Sequence, residues 1–102
     1  MGWADPYIPL LREGRTVQFR PRGNSMRPRI ASGQLCTVEP VVAETELRAG
    51  DVVLCRVRGA QYLHLIRATR SDGTYQIGNN HGRVNGWVGR SNIYGRLVSV
   101  EP

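Results

Sequence analysis

The sequence predicts a single, mostly β domain of about six short strands with one or two short helical turns. The chain has 102 residues, including 12 glycines and 6 prolines, and this composition favours short strands joined by tight turns. A chain of this length forms one hydrophobic core. We therefore expect one domain over residues 1–102, in which residues 1–15 form an N-terminal extension.

The first predicted elements are a helical turn and two strands. Asp5 suits a helix N-cap, Pro6 suits the first helical position and Gly14 suits the residue after a helix end. Residues 16–20 alternate apolar and polar side chains, which indicates a half-buried strand. Residues 35–39 form a second apolar run, which a proline ends.

The middle of the chain predicts three further strands. Residues 52–57 read Val-Val-Leu-Cys-Arg-Val, and an almost continuous apolar run is typical of a strand that is buried on both faces. A turn at residues 58–60 leads into a strand at 62–68. The Ser-Asp-Gly turn at 71–73 leads into a strand at 74–77.

Residues 78–92 are predicted to be a loop, followed by a last strand at residues 93–100. The segment contains four glycines and four asparagines. A loop this long in so small a domain is either functional or loosely ordered. Trp87 is expected to anchor the loop, or to stack on a base or a peptide.

All of the basic residues are arginine. The chain has 14 arginines, no lysine and 8 acidic residues, which gives a formal net charge of +6. The absence of lysine excludes a lysine general base, a Schiff-base lysine and a P-loop phosphate ligand. Enzymes that depend on a lysine in one of these three roles are therefore excluded.

The segment at residues 22–30, Arg-Gly-Asn-Ser-Met-Arg-Pro-Arg-Ile, lies between two predicted strands. Gly23 allows backbone conformations that other residues avoid, and Pro28 could open a helical turn. Ser25 would then lie near free N–H groups, which could stabilise an oxyanion during acyl transfer. The alternative is a serine that caps a turn and has no chemical role.

Two segments together resemble the LexA-like and type I signal peptidase superfamily of serine proteases. They are Gly-Asn-Ser-Met-Arg-Pro at residues 23–28 and Arg-Ala-Gly-Asp-Val-Val-Leu at residues 48–54. The resemblance extends from about residue 17 to residue 100. It implies a coiled antiparallel β-sheet, a peptidase activity with Ser25 as the nucleophile, and an extended peptide substrate that is added as a β-strand.

Most members of this superfamily pair the serine with a lysine, and the matching position here is His64. Eukaryotic and archaeal-type signal peptidases are similar at this point, because they use histidine. A neutral imidazole with a pKa near 6.5 is a competent general base at neutral pH. The resemblance therefore implies a Ser25–His64 pair. The alternative is that His64 is only a half-buried strand residue.

An acidic third member is missing from the pattern. Many relatives have Gly-Asp-Asn where this chain has Gly-Asn-Asn at residues 78–80. A carboxylate usually orients the histidine and stabilises its imidazolium form. The candidates for a supporting role are Asp51, Asn79 and Asn80. The candidates for oxyanion or substrate contacts are Gly23, Asn24, Met26 and Arg27.

Arginines precede and follow the serine, and others lie on the predicted hairpin that carries the histidine. If they share one face, they would attract phosphate or acidic peptide; the alternative is a bias in composition. This predicted basic face comprises Arg20, Arg22, Arg27, Arg29, Arg56, Arg58 and Arg67, with Arg70 beside it. It supports a second hypothesis, in which the domain is catalytically silent and regulatory and binds a peptide, a protein or nucleic acid.

The remaining expectations concern partners, metals and location. No nucleic-acid-binding motif accompanies the charge, and no feature specifies a homodimer, although one would be compatible with so small a core. A zinc site could use Cys36, Cys55, His64 and His81, but their spacing matches no structural zinc pattern, so we expect no metal and no cofactor. The sequence shows no basic leader, DNA-binding domain or membrane anchor, which predicts a stand-alone cytoplasmic domain that does not bind membranes.

Overall fold

The computed structural model describes residues 2–102, which form one antiparallel sheet of seven strands in the order β1-β2-β7-β3-β4-β5-β6. The prediction of a mostly β fold is confirmed. The strands are β1 (Val17–Phe19), β2 (Leu35–Pro40), β3 (Val52–Val57), β4 (Ala60–Thr69), β5 (Thr74–Gly78), β6 (Val84–Gly89) and β7 (Ile93–Glu101). A helix, α1 (Ile8–Arg12), precedes the sheet, and a 3₁₀ turn (Arg90–Asn92) precedes β7.

The largest difference from the predicted elements is β6, which lies inside the predicted loop at residues 78–92. β6 pairs with β5, and Val88 lies opposite Tyr75 with only 7% of its surface exposed. Trp87 is a strand residue whose ring stacks under the guanidinium of Arg70 at 3.6 Å. The glycines and asparagines of this segment predicted a loop because they are rare in strands.

The N-terminal segment is part of the domain core. Ala4, Ile8 and Leu11 are buried against the sheet. The helix begins at Ile8 after Tyr7, and its N-terminus has no side-chain cap. The prediction that Asp5 caps the helix is therefore wrong, and this carboxylate instead accepts hydrogen bonds from Gly2 N–H and the Gln61 side chain. Across residues 2–102, no helix is long and apolar enough to cross a membrane.

The sheet has a hydrophobic cluster on each face, and β3 contributes to both. Val52 and Leu54 belong to the first cluster, while Val53, Cys55 and Val57 belong to the second. Burying a large apolar side chain contributes about 1.5 to 3 kcal/mol. This arrangement confirms the prediction that residues 52–57 are buried on both faces, and it fixes β3 as the centre of the fold.

A tight hairpin joins β3 to β4 and fixes the position of His64. Arg58 and Gly59 form its two-residue loop with φ values of 51° and 82°, as a type I′ turn requires. The resulting register places His64 opposite Val53. On its other side, β4 pairs with β5 only from Leu65 onward, so the edge of β4 beside His64 has no neighbouring strand.

Candidate active site

The structure brings Ser25 and His64 together. Ser25 lies in the turn between β1 and β2, and His64 lies in the middle of β4. The distance from Ser25 Oγ to His64 Nε2 is 3.1 Å, which is a hydrogen-bonding distance. Two residues that are 39 positions apart in the sequence therefore share one site.

The loop that carries Ser25 is a series of turns, and Pro28 lies inside a single turn that is closed by the hydrogen bond from Ile30 N–H to the Met26 carbonyl. Gly23 has a φ of 116°, which residues with a side chain rarely adopt. Met26 is 5% exposed and packs in the first core cluster, and its carbonyl accepts the N–H of Ile30 at 3.0 Å. Burial of Met26 anchors the residue next to Ser25.

A second loop, which follows β5, holds the Ser25 loop from the other side. Asn80 N–H donates to the carbonyl of Ser25 at 3.0 Å, and Asn80 Nδ2 donates to the carbonyl of Arg27 at 2.8 Å. The ring of His81 donates from Nε2 to the carbonyl of Asn24 at 3.1 Å. Asn80 is therefore a structural support of the serine loop and does not contact His64.

The other two candidates for a supporting role also bind elsewhere. Asn79 Oδ1 accepts two backbone N–H groups of its own loop, at 2.8 and 2.9 Å. Asp51 Oδ2 accepts the N–H of Arg48 at 2.9 Å. Neither side chain hydrogen-bonds to His64, so the structure gives both residues roles in shaping turns.

The hydrogen-bond partner of His64 on its far side is Asn85, which the sequence analysis missed. The distance from His64 Nδ1 to Asn85 Oδ1 is 2.7 Å. Asn85 lies on β6, a segment for which the sequence predicts a loop. No local pattern marks it, because the contact depends on the pairing of a strand that was not predicted.

The imidazole of His64 is buried, with 8% of the residue exposed. Burial lowers the pKa of His64, the hydrogen bond to Asn85 opposes this shift, and the positive charge of Arg83 adds to it. The ring of Tyr62 lies against it, with ring centroids 4.8 Å apart. The environment therefore favours a neutral imidazole at neutral pH.

Within the described part of the chain, the backbone around Ser25 leaves three adjacent N–H groups free, those of Asn24, Ser25 and Met26. Gly23 N–H donates to Ser32 Oγ, and Arg27 N–H donates to the carbonyl of Asn24, both at 3.2 Å. No acceptor takes any of these three N–H groups within residues 2–102. Of the predicted oxyanion contacts, Asn24 and Met26 therefore remain available through their N–H groups, whereas the N–H groups of Gly23 and Arg27 are engaged.

Ser25 and His64 lie in a cleft of about 530 Å³. Arg22, Gly23 and Gln61 also line it. The rest of the lining is apolar or aromatic and comprises Trp3, Pro21, Met26, Ile30, Tyr62 and Leu63. A mostly apolar cleft with a few polar groups is the usual form of a ligand site.

Several arginines of the predicted basic face have structural contacts. Arg20, Arg29 and Arg67 donate to the carbonyls of Gly33, Gly50 and Asn79, at 2.9, 2.9 and 3.1 Å. Arg58 occupies the hairpin loop, and Arg22 lines the cleft. At least three of these guanidinium groups therefore hold loops together.

The cysteines and histidines do not form a metal site. Cys36 and Cys55 are fully buried in different core clusters. Burial raises the pKa of the Cys55 thiol to about 12. Throughout residues 2–102, no three His, Cys, Asp or Glu side chains lie together as metal ligands would.

No protein-family model, no curated protein and no solved structure matches this chain. The resemblance to the LexA-like and signal peptidase superfamily is thus a prediction.

Proposed function

We propose that this chain is a serine endopeptidase of the LexA and signal peptidase type, which cleaves an extended peptide segment. The observation that carries the proposal is the 3.1 Å separation of Ser25 Oγ and His64 Nε2 within an open cleft. A nucleophile and a base within hydrogen-bonding reach are the minimum requirement for acyl transfer.

In the proposed reaction, Ser25 Oγ attacks the carbonyl carbon of the scissile peptide while His64 Nε2 takes the hydroxyl proton. The free N–H groups of Ser25 and Met26 are the candidates to stabilise the resulting oxyanion. His64 then gives the proton to the leaving amine, and the peptide bond breaks to leave an acyl-serine. Water, deprotonated by His64, hydrolyses this ester and restores both residues.

The open edge of β4 would accept the substrate backbone. The two-residue hairpin makes Val57 and Ala60 a hydrogen-bonded pair, so the N–H and C=O groups of Leu63 point away from β3. Across residues 2–102 no hydrogen bond uses these groups. A peptide strand could pair with Leu63, which would place its backbone next to His64.

The lining of the cleft favours a peptide with a large apolar side chain near the scissile bond. Trp3, Ile30 and Tyr62 offer aromatic and aliphatic surface, and the volume of about 530 Å³ leaves room for a side chain larger than alanine. Burial of such a side chain would contribute about 1.5 to 3 kcal/mol to binding.

The test is to incubate the protein with a mixture of peptides of varied sequence and to locate cleavage by mass spectrometry. We expect cuts next to large apolar residues, and we expect Ser25→Ala and His64→Ala each to abolish them while remaining folded. Ser71→Ala, in an exposed turn, is the matched control and should retain full activity. Equal cleavage by Ser25→Ala would refute the proposal.

The alternative of a catalytically silent module that binds through arginines stays a prediction. It expects binding that weakens steeply with salt, because the release of counterions that favours association contributes less at a higher salt concentration, and that survives Ser25→Ala. Titration of the Ser25→Ala variant with an acidic peptide at two salt concentrations separates this function from the peptidase.

A further inference from the structure

We infer that Asn85 is the positioning residue of the Ser25–His64 pair, and that its side-chain carbonyl sets which ring nitrogen of His64 carries the proton. The inference rests on the proposed function. It adds a third residue to the proposed catalytic pair, and the side chain of that residue is an amide instead of a carboxylate.

The imidazole of His64 has one hydrogen-bond partner at each ring nitrogen, Ser25 at Nε2 and Asn85 at Nδ1. A neutral imidazole has one N–H donor and one bare nitrogen. Oδ1 of Asn85, 2.7 Å from Nδ1, can only accept, so the proton lies on Nδ1. Nε2 then carries the lone pair and accepts the hydroxyl proton of Ser25 across 3.1 Å. This is the tautomer that a general base needs.

The backbone around Asn85 is shaped to present its side chain. Ile77 pairs with Gly86, whereas the next residue, Gly78, pairs with Val84. Asn85 is therefore the extra residue of a β-bulge, a feature that redirects side chains and is frequent beside active sites.

Glycine at position 86 allows β6 to approach β3 closely. A Cβ at this position would lie 3.1 Å from Cγ1 of Val57, and the φ of Gly86 is 149°. A side chain at this position would crowd Val57 and strain the backbone. The bulge and the adjacent glycine together hold Asn85 where it meets His64.

An amide partner and a carboxylate partner would differ in their effect on the charge of His64. Arg83 is the charged group that acts on the imidazole, and it disfavours the imidazolium form. The amide of Asn85 orients the ring without adding a negative charge. A carboxylate at the same place would also stabilise the imidazolium. Replacing Asn85 by Asp therefore separates the effect of ring orientation from the effect of a negative charge on His64.

The experiment compares Asn85→Ala and Asn85→Asp with Asn92→Ala as the control, because Asn92 lies in the exposed 3₁₀ turn. Nitrogen NMR of the ring reports the tautomer and the pKa of His64. The chain has two histidines, so the His64 signals are assigned by their loss in His64→Gln. Thermal unfolding shows which variants fold.

We expect the wild-type ring to carry its proton on Nδ1 and Asn85→Ala to lose this preference. In Asn85→Asp the Nδ1–H form should persist and the pKa of His64 should rise by roughly one to three units. In the cleavage assay, Asn85→Ala should lower kcat on the order of 100-fold or more with little change in KM. In Asn85→Asp, the acid limb of the pH profile should move to higher pH.

Two NMR results would overturn the inference: a wild-type His64 protonated on Nε2, or an Asn85→Ala variant with unchanged tautomer and pKa. The NMR readout does not need turnover, so its result stands whether or not the protein cleaves peptides. Conversely, normal cleavage by Asn85→Ala would refute the role of Asn85 and leave the Ser25–His64 peptidase intact. If Asn85→Ala fails to fold, the role of Asn85 is still tested by the tautomer of His64 in the wild type and by the pKa of His64 in Asn85→Asp.

Discussion

Replacing His64 by Gln should remove a specific part of the pH dependence of folding stability. Burial lowers the pKa of His64 in the folded protein, whereas the unfolded chain has a value near 6.5. Between the two values, the unfolded state binds more protons than the folded state. Stability therefore rises with pH in this window and is lost as the pH falls below about 6.5.

The size of the effect follows from linkage. One histidine can change the free energy of unfolding by at most about 1.4 kcal/mol per pH unit, and only between the folded and unfolded pKa values. The Arg83 charge strengthens the effect and the hydrogen bond to Asn85 weakens it. The wild type should therefore lose stability relative to His64→Gln as the pH falls from about 6.5 toward the folded pKa.

The assay is urea unfolding of both proteins at several pH values between about 4.5 and 8. The quantity of interest is the difference between their free energies of unfolding at each pH. Ser71→Ala is the control, because Ser71 lies in an exposed turn and does not titrate; its difference curve should be flat. A difference curve that is flat, or that shows the wild type gaining relative stability toward low pH, would refute the assignment of His64 as a buried neutral histidine.

Three further predictions test the roles of individual side chains. Asn79→Asp should leave the pKa of His64, measured by NMR, unchanged, because its oxygen binds backbone N–H groups of its own loop; a rise would contradict the structure. Asn80→Asp should destabilise the protein by about 0.5 to 1.5 kcal/mol in urea, because a carboxylate cannot donate to the carbonyl of Arg27; unchanged stability would show that this contact is absent. Trp3→Ala should weaken binding of large apolar peptides to the Ser25→Ala variant about tenfold in calorimetry, with little effect on alanine-rich peptides; equal weakening of both would exclude Trp3 as part of the apolar cleft.

Much of the fold could be predicted because its strands carry local signals. The buried run at residues 52–57 and the turn at Arg58 and Gly59 are evident in the sequence and correct in the structure. β6 was missed because it contains glycine and asparagine, which in isolation favour turns. Its strand conformation comes from pairing with β5, and pairing between distant segments leaves little trace in local composition.

The candidate site, like the fold, could be predicted from the sequence only in part. Ser25 and His64 could be named from motifs, and the structure places them within hydrogen-bonding distance. Asn79 occupies the position of the missing acid and Asn80 follows it, but their side chains form hydrogen bonds to the backbone of the loops. Asn85 could not be found, because its contact with His64 needs both β6 and the bulge in it.

An amide partner suits a buried histidine for a physical reason. Burial and the charge of Arg83 both favour the neutral ring, so His64 would be ready to accept a proton at neutral pH. The same surroundings make the imidazolium formed during acyl transfer unfavourable, and an amide offsets less of this cost than a carboxylate would. In the proposed peptidase, His64 would therefore be an available base but a weak one. Turnover should be slow unless the substrate strand, by covering the cleft, improves the geometry of the Ser25–His64 contact.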